Sequence, residues 1–219
     1  MYFSSRVQAG RMLANRLVPN YRYEKNCAVI ALDDGGVVVG AQIAMQLHCV
    51  LTFLNSAEIN LPREPVAIAG ITSEGSVAYN SAYSSGELSE LLEENRGFIE
   101  QEKLRRMHEL NHLMSNSGTI DKRLLKNHKI ILVSDGLKTA FKVDLVYEFL
   151  KPVPIQSLIF AVPLASVPVV DKMHILGNDL YCLDVLEDFR ETSHYYDHND
   201  LPDHEKIVKI VERIVVNWV

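Results

Sequence analysis

Short apolar runs alternate with amphipathic stretches along most of this chain. Residues 27–33 (CAVIALD) are an apolar run ending at Asp33-Asp34-Gly35-Gly36, and 37–48 then read as a helix. Residues 49–55 predict a second strand. Residues 66–72 and 76–79 predict a hairpin around Glu74-Gly75, a turn signal. Residues 87–114 are charged and helical, with Leu104, Met107, Leu110 and Met114 spaced by three and four as one apolar stripe for the core or a subunit interface; Asn116-Ser117-Gly118 closes the segment. The second half alternates strictly. Strands are predicted at 129–134, 155–162 and 179–185. Helices are predicted at 140–150, at 167–176 with Ser166 as cap, and from near Asp203 to the C-terminus.

Strands separated by helices imply right-handed βαβ crossovers and a parallel, doubly wound α/β sheet. Ligands of such sheets bind outside the carboxyl ends of the strands. Two turns hold that position here, 33–36 and 134–142. In the second, the stretch ILVSDGLKTAFK delivers Asp135 and Gly136 from a buried strand into a short loop that opens a helix. Backbone N–H groups of such a loop and the helix N-terminus can cradle a phosphate. Asp135 can accept hydrogen bonds from sugar hydroxyls, and Lys138, Thr139 and Lys142 add donors. A plain β-to-α turn with a capping residue is the alternative.

At 219 residues the chain suits one domain spanning 1–219. A net charge of −6 argues against a nucleic-acid binder, which would want a basic face. Three cysteines, Cys27, Cys49 and Cys182, make no C-x-x-C pair and read as free thiols of a cytoplasmic protein. The apolar runs fall short of the roughly 18 residues of a membrane span. Arg6, Arg11 and Arg16 with Ser4 and Ser5 imitate a transit peptide. The same segment reads more simply as a helix capped by Ser4 or Ser5, with Leu13 and Leu17 on one face and Pro19 after its end. His194, His198 and His204 among Asp197, Asp200 and Asp203 have metal-ligand chemistry, but their spacing fits no compact ligand set, so no metal is assigned. Gly35, Gly36 and Gly40 lack the dinucleotide spacing, and neither a Walker A motif nor a G-x-S-x-G elbow is present.

The 131–142 stretch resembles the phosphoribosyl-diphosphate (PRPP) loop of type I phosphoribosyltransferases, V-[DE]-[DE]-G-x-x-T-G-x-T. Val133, Asp135, Gly136 and Thr139 match it; Ser134, Ala140 and Lys142 depart from it. Residues 32–40 (LDDGGVVVG) are similar to the L-P-R-G-G-V-P-V-G of a predicted branch of that family, with Asp33 and Asp34 in place of Pro and Arg. RVQAGRMLANRL at 6–17, AVPLASVP at 161–168 and CLDVLEDF at 182–189 extend the resemblance in the same order. The resemblance implies a phosphoribosyltransferase fold with a small hood-like appendage, and a homodimer. It also implies transfer of a phosphoribosyl group from PRPP to a nucleobase-like acceptor with Mg²⁺.

It further implies that Asp135 is the catalytic and ribose-binding acid. Gly136, Leu137, Lys138, Thr139, Ala140 and Lys142 would hold the 5′-phosphate. The Asp33, Asp34, Gly35, Gly36 turn would hold pyrophosphate, and Phe189 would stack on a base, although Phe189 reads more simply as loop packing. The departures support a second reading, a catalytically impaired homologue that binds a nucleotide or ribose phosphate. Carboxylates at 33 and 34 oppose the departing pyrophosphate rather than stabilising it.

Overall fold

The computed structural model describes residues 2–114, 122–199 and 201–216, with the side chains of 112–114, 204 and 215–216 excepted. Chain order is α1 (Arg6–Tyr21), β1 (Cys27–Ala31), α2 (Asp34–Leu47), β2 (Val50–Phe53), β3 (Ser56–Ile59), β4 (Ala69–Thr72) and β5 (Val77–Tyr79). It continues with α3 (Ser85–Glu94), α4 (Arg96–Met114), β6 (Lys129–Val133), α5 (Phe141–Leu150), β7 (Ser157–Ser166), α6 (Val167–Leu176), β8 (Asp179–Leu186) and α7 (His204–Val216). These form two compact units. The first takes residues to Leu54, the stretch from Ile120 to Thr139, and everything from Val153. The second takes Asn55–Thr119 and Ala140–Pro152.

The first unit holds a five-stranded sheet in the order β2-β1-β6-β7-β8, with every neighbouring pair parallel. All five residues of β1 and the last four of β6 are buried, as expected of parallel strands covered on both faces. Val29, Ala31, Ile131, Val133 and Ile159 point to one face and pack in a single core with α1, α2 and α7. Phe160 points the other way and meets Gly177 and the end of α6. The chain steps from β1 outward to β2, then returns to β6 on the other side of β1. The crevice between β1 and β6 is therefore the topological switch point of the sheet.

The second unit is an antiparallel sheet, β3-β4-β5, packed with α4 and α5. Gly75 turns the β4–β5 hairpin with φ +81°, a conformation that favours glycine. Strand β3 was not expected. Its four residues follow Leu54-Asn55 directly and carry no strong strand signal of their own. The predicted single helix over 87–114 is two helices. Ser84 and Glu87 form a reciprocal capping box that starts α3, and Asn95 ends it by donating its side-chain amide to the Leu91 carbonyl at 3.0 Å.

The expected stripe on α4 is only partly a core face. Leu110 is buried and Met107 packs beside it, but Leu104 is 69% exposed and Ile99 is buried instead. At about 100° per residue, Leu104 lies roughly 140° around the helix from Ile99, whereas Leu110 lies only about 20° away. The Met114 side chain and Asn116-Ser117-Gly118 lie outside the described residues.

Two other boundaries differ from expectation. Pro19 lies inside α1, in its last turn, where the ring removes only one N–H. Helix α2 starts at Asp34, so Gly35 and Gly36 are its first turn and not a free loop. Among the described residues, no helix is long and apolar enough to cross a membrane.

Candidate active site

The two turns singled out by the sequence emerge side by side, at the carboxyl ends of the adjacent strands β1 and β6. Asp33 is the N-cap of α2, in extended conformation, and its Oδ1 accepts the Gly36 N–H at 2.7 Å. Its Oδ2 accepts the Ser134 hydroxyl at 2.7 Å, so one carboxylate ties the two turns together. Asp34 follows as the acid of the first turn. A helix N-terminus carries about +0.5 of a charge. Here two carboxylates of the chain itself already stand at it. The backbone donor of Gly36, expected to face pyrophosphate, is directed at Asp33.

The second turn is equally occupied from within. Asp135 is buried, and its Oδ2 accepts from the Arg6 Nε at 2.6 Å. Arg6 is buried too, and its guanidinium lies 4.6 Å from the centre of the Tyr196 ring. The Tyr196 hydroxyl donates to the Asp135 carbonyl at 2.6 Å. Burial, and then the Asp135 carboxylate, pushes that phenol well above its ordinary range, which keeps the donor protonated. Gly136 N–H donates to the Ser134 hydroxyl at 3.3 Å, and Leu137 N–H donates to the Leu164 carbonyl at 2.9 Å. Leu137 thereby joins β7 as an isolated bridge. Ser166 fixes the next peptide by donating its hydroxyl to the Lys138 carbonyl at 2.8 Å, which is why it gives α6 no side-chain cap.

Gly35 is required by this closeness. A Cβ at that position would overlap the Asp135 carboxylate. Phe189 is buried among Phe3, Leu164, Tyr195 and Tyr196, edge-on to Tyr195 at 5.5 Å, and it backs onto Gly136. That is the loop-packing role rather than an open platform for a base. Lys138 and Thr139 are exposed. Ala140 opens α5 without a side-chain cap. Lys142 lies in the first turn of α5.

His194 meets the Tyr2 hydroxyl at 2.9 Å. Asp200 and the His204 side chain lie outside the described residues, and among the rest no group of three His, Cys, Asp or Glu side chains could hold a metal. The Mg²⁺ implied by PRPP chemistry would need free hard oxygen donors. Each Asp33 oxygen already accepts a hydrogen bond, from Gly36 or Ser134, and a guanidinium stands against Asp135, so an ion at these two acids would compete with those contacts. A cavity of about 660 Å³ lies along the helices, lined by Arg6, Val38, Met45, His198, Ile210 and Arg213, and not over these turns.

The sequence motifs give Arg6, Ser134 and Tyr196 no role in these turns; the fold brings them there. Arg6 had left a signal. It occupies the first position of the buried α1 stripe Arg6, Ala9, Gly10, Leu13, Ala14, Leu17, Tyr21, where a charge demands a buried partner.

No family model matches the chain. The crystal structure of TT1426 from Thermus thermophilus is similar over the whole of both chains, with 22% identity and a TM-score of 0.75. The α/β fold with its parallel five-stranded sheet is shared with TT1426. A hypoxanthine phosphoribosyltransferase from Staphylococcus aureus is more distantly similar, at 12% identity and a TM-score of 0.47 over 90% of this chain and 87% of that one. The two turns stand where ligands of parallel α/β sheets bind, yet Asp33 and Asp135 are engaged by groups of the protein itself.

Proposed function

We propose that this phosphoribosyltransferase-like protein does not transfer phosphoribosyl groups, and that it binds a phosphate monoester such as a nucleoside monophosphate or ribose phosphate. One observation carries the reading. The chain's own carboxylate, Asp33, caps α2 at the position where pyrophosphate would have to leave. Expulsion of pyrophosphate needs donors aimed at the departing charge. Asp33 and Asp34 present charge of the wrong sign there, and the Gly36 donor is taken. The ribose-binding role of Asp135 is blocked in the same way, because Arg6 holds its carboxylate.

Lys138 and Thr139 are different, because both are exposed at the end of the β6 turn. The monoester site of this reading is there, with Lys138 supplying charge and Thr139 a hydroxyl donor.

Thermal-shift titration with AMP, GMP and UMP, pyrophosphate, and PRPP with and without Mg²⁺ tests it. A ligand present at about 100 times its Kd adds roughly 2.7 kcal/mol to the folded state. At least one monophosphate should raise Tm by several degrees, with pyrophosphate and PRPP–Mg²⁺ raising it less. A larger shift with pyrophosphate or PRPP–Mg²⁺ than with any monophosphate overturns the proposal.

A further inference from the structure

We infer that Cys27 and Cys49 form a modification site, a buried dithiol that a hydroperoxide converts to an intramolecular disulfide. Strands β1 and β2 pair in parallel, with Ala28 opposite Val50. One residue earlier, Cys27 therefore stands beside Cys49. Neighbouring strands lie about 4.8 Å apart, inside the roughly 4.4–6.8 Å Cα separation that a disulfide spans. Both side chains enter the same core cluster as Val29, Ala31 and Leu51, the alternate residues of β1 and β2, so they point to one face.

The pair is also poised for the chemistry. The Cys27 thiol is held below its ordinary range, first by the Cys49 hydrogen bond and further by the Lys129 ammonium; burial and the Glu24 carboxylate oppose this. Its chain neighbours Lys25 and Asn26 are exposed, and so is Val50 after Cys49, so the pair lies at the amino edge of the sheet with exposed residues beside it.

The Cys27 thiolate attacks one peroxide oxygen, the O–O bond breaks, and hydroxide leaves and takes a proton, giving a sulfenic acid and one water. The Cys49 sulfur then attacks the sulfenic sulfur. The S–S bond forms and the S–O bond breaks, and the departing hydroxide takes the Cys49 proton as a second water. Two thiols are oxidised by two electrons, and one peroxide is reduced to two waters. Cys182 stands apart. Burial pushes its thiol up to about 11, and it bonds to the Asp184 carbonyl.

The test uses the whole chain. After treatment with hydrogen peroxide and quenching in denaturant with a thiol-alkylating reagent, two of the three thiols should be lost together. Intact mass should fall by about 2 Da, as expected for one disulfide, and a proteolytic map should show a Cys27–Cys49 crosslink that dithiothreitol reverses. Cys27→Ser and Cys49→Ser should each abolish the crosslink, and Cys182→Ser should leave it unchanged. Retention of all three thiols in folded protein, or loss of Cys182 before the pair, overturns the inference. So does a crosslink between two copies of the chain. Because the pair lies at the opposite edge of the sheet from Asp33 and Asp135, none of these outcomes depends on the proposed ligand.

Discussion

Replacing Arg6 with methionine should destabilise the protein by about 3–5 kcal/mol, the usual result of removing one partner of a buried ion pair. The Asp135 side chain is only 10% exposed, and Arg6 is its partner at 2.6 Å. Without the guanidinium, the carboxylate must remain charged in a poorly solvated place or take up a proton at a cost. The Tyr196 ring also loses the cation above it. Adding Asp135→Asn to Arg6→Met removes the stranded charge and should recover most of the loss. Urea denaturation of the wild type, both single variants and the double variant reads this as shifts in midpoint at constant slope. A loss below about 1 kcal/mol for Arg6→Met would place the pair among weak, solvated ion pairs and contradict the burial seen here.

Gly35→Ala is the second large effect. The added methyl group would occupy the space of the Asp135 carboxylate. That carboxylate cannot retreat easily, since Arg6 holds its side chain and Tyr196 holds its carbonyl. Overpacking of this kind costs about 1–3 kcal/mol. The cost should nearly vanish in the Asp135→Ala background, where the obstructing atoms are gone. A double-mutant cycle therefore predicts a coupling energy of about 1–3 kcal/mol between positions 35 and 135. Additive effects would show that the two turns do not touch.

The alternation of apolar runs and helices was enough to identify the parallel sheet, and the acid-and-glycine turns marked its switch point. Those features are local in sequence, and periodicity reports them directly. What decides the character of the site is not local. Arg6 and Asp135 are 129 residues apart, and Ser134 and Asp33 are 101 apart. Asp33 illustrates the difference. Its motif position suggested a loop carboxylate facing pyrophosphate, and its neighbours Gly35 and Gly36 suggested an open turn. Instead the carboxylate accepts the Gly36 N–H in the first turn of α2, a local role that an Asp before a helix often takes, and a distant hydroxyl holds its second oxygen. Leu104 lies outside this chain's own core for another reason. Three-four spacing defines a stripe, but the buried arc of α4 is set by Ile99 and Leu110, and only tertiary packing selects which arc faces inward.

The central claim is that groups of the chain itself occupy Asp33 and Asp135, the acids of the two turns that resemble phosphoribosyltransferase motifs. Calorimetric titration of the native protein with PRPP and Mg²⁺ tests it most directly. The account predicts heats no larger than dilution up to about millimolar PRPP, a concentration that corresponds to only about 4 kcal/mol of binding free energy. A saturable isotherm with a micromolar Kd, dependent on Mg²⁺ and weakened by Asp33→Asn, would show that the carboxylates recruit the metal, and would contradict the account.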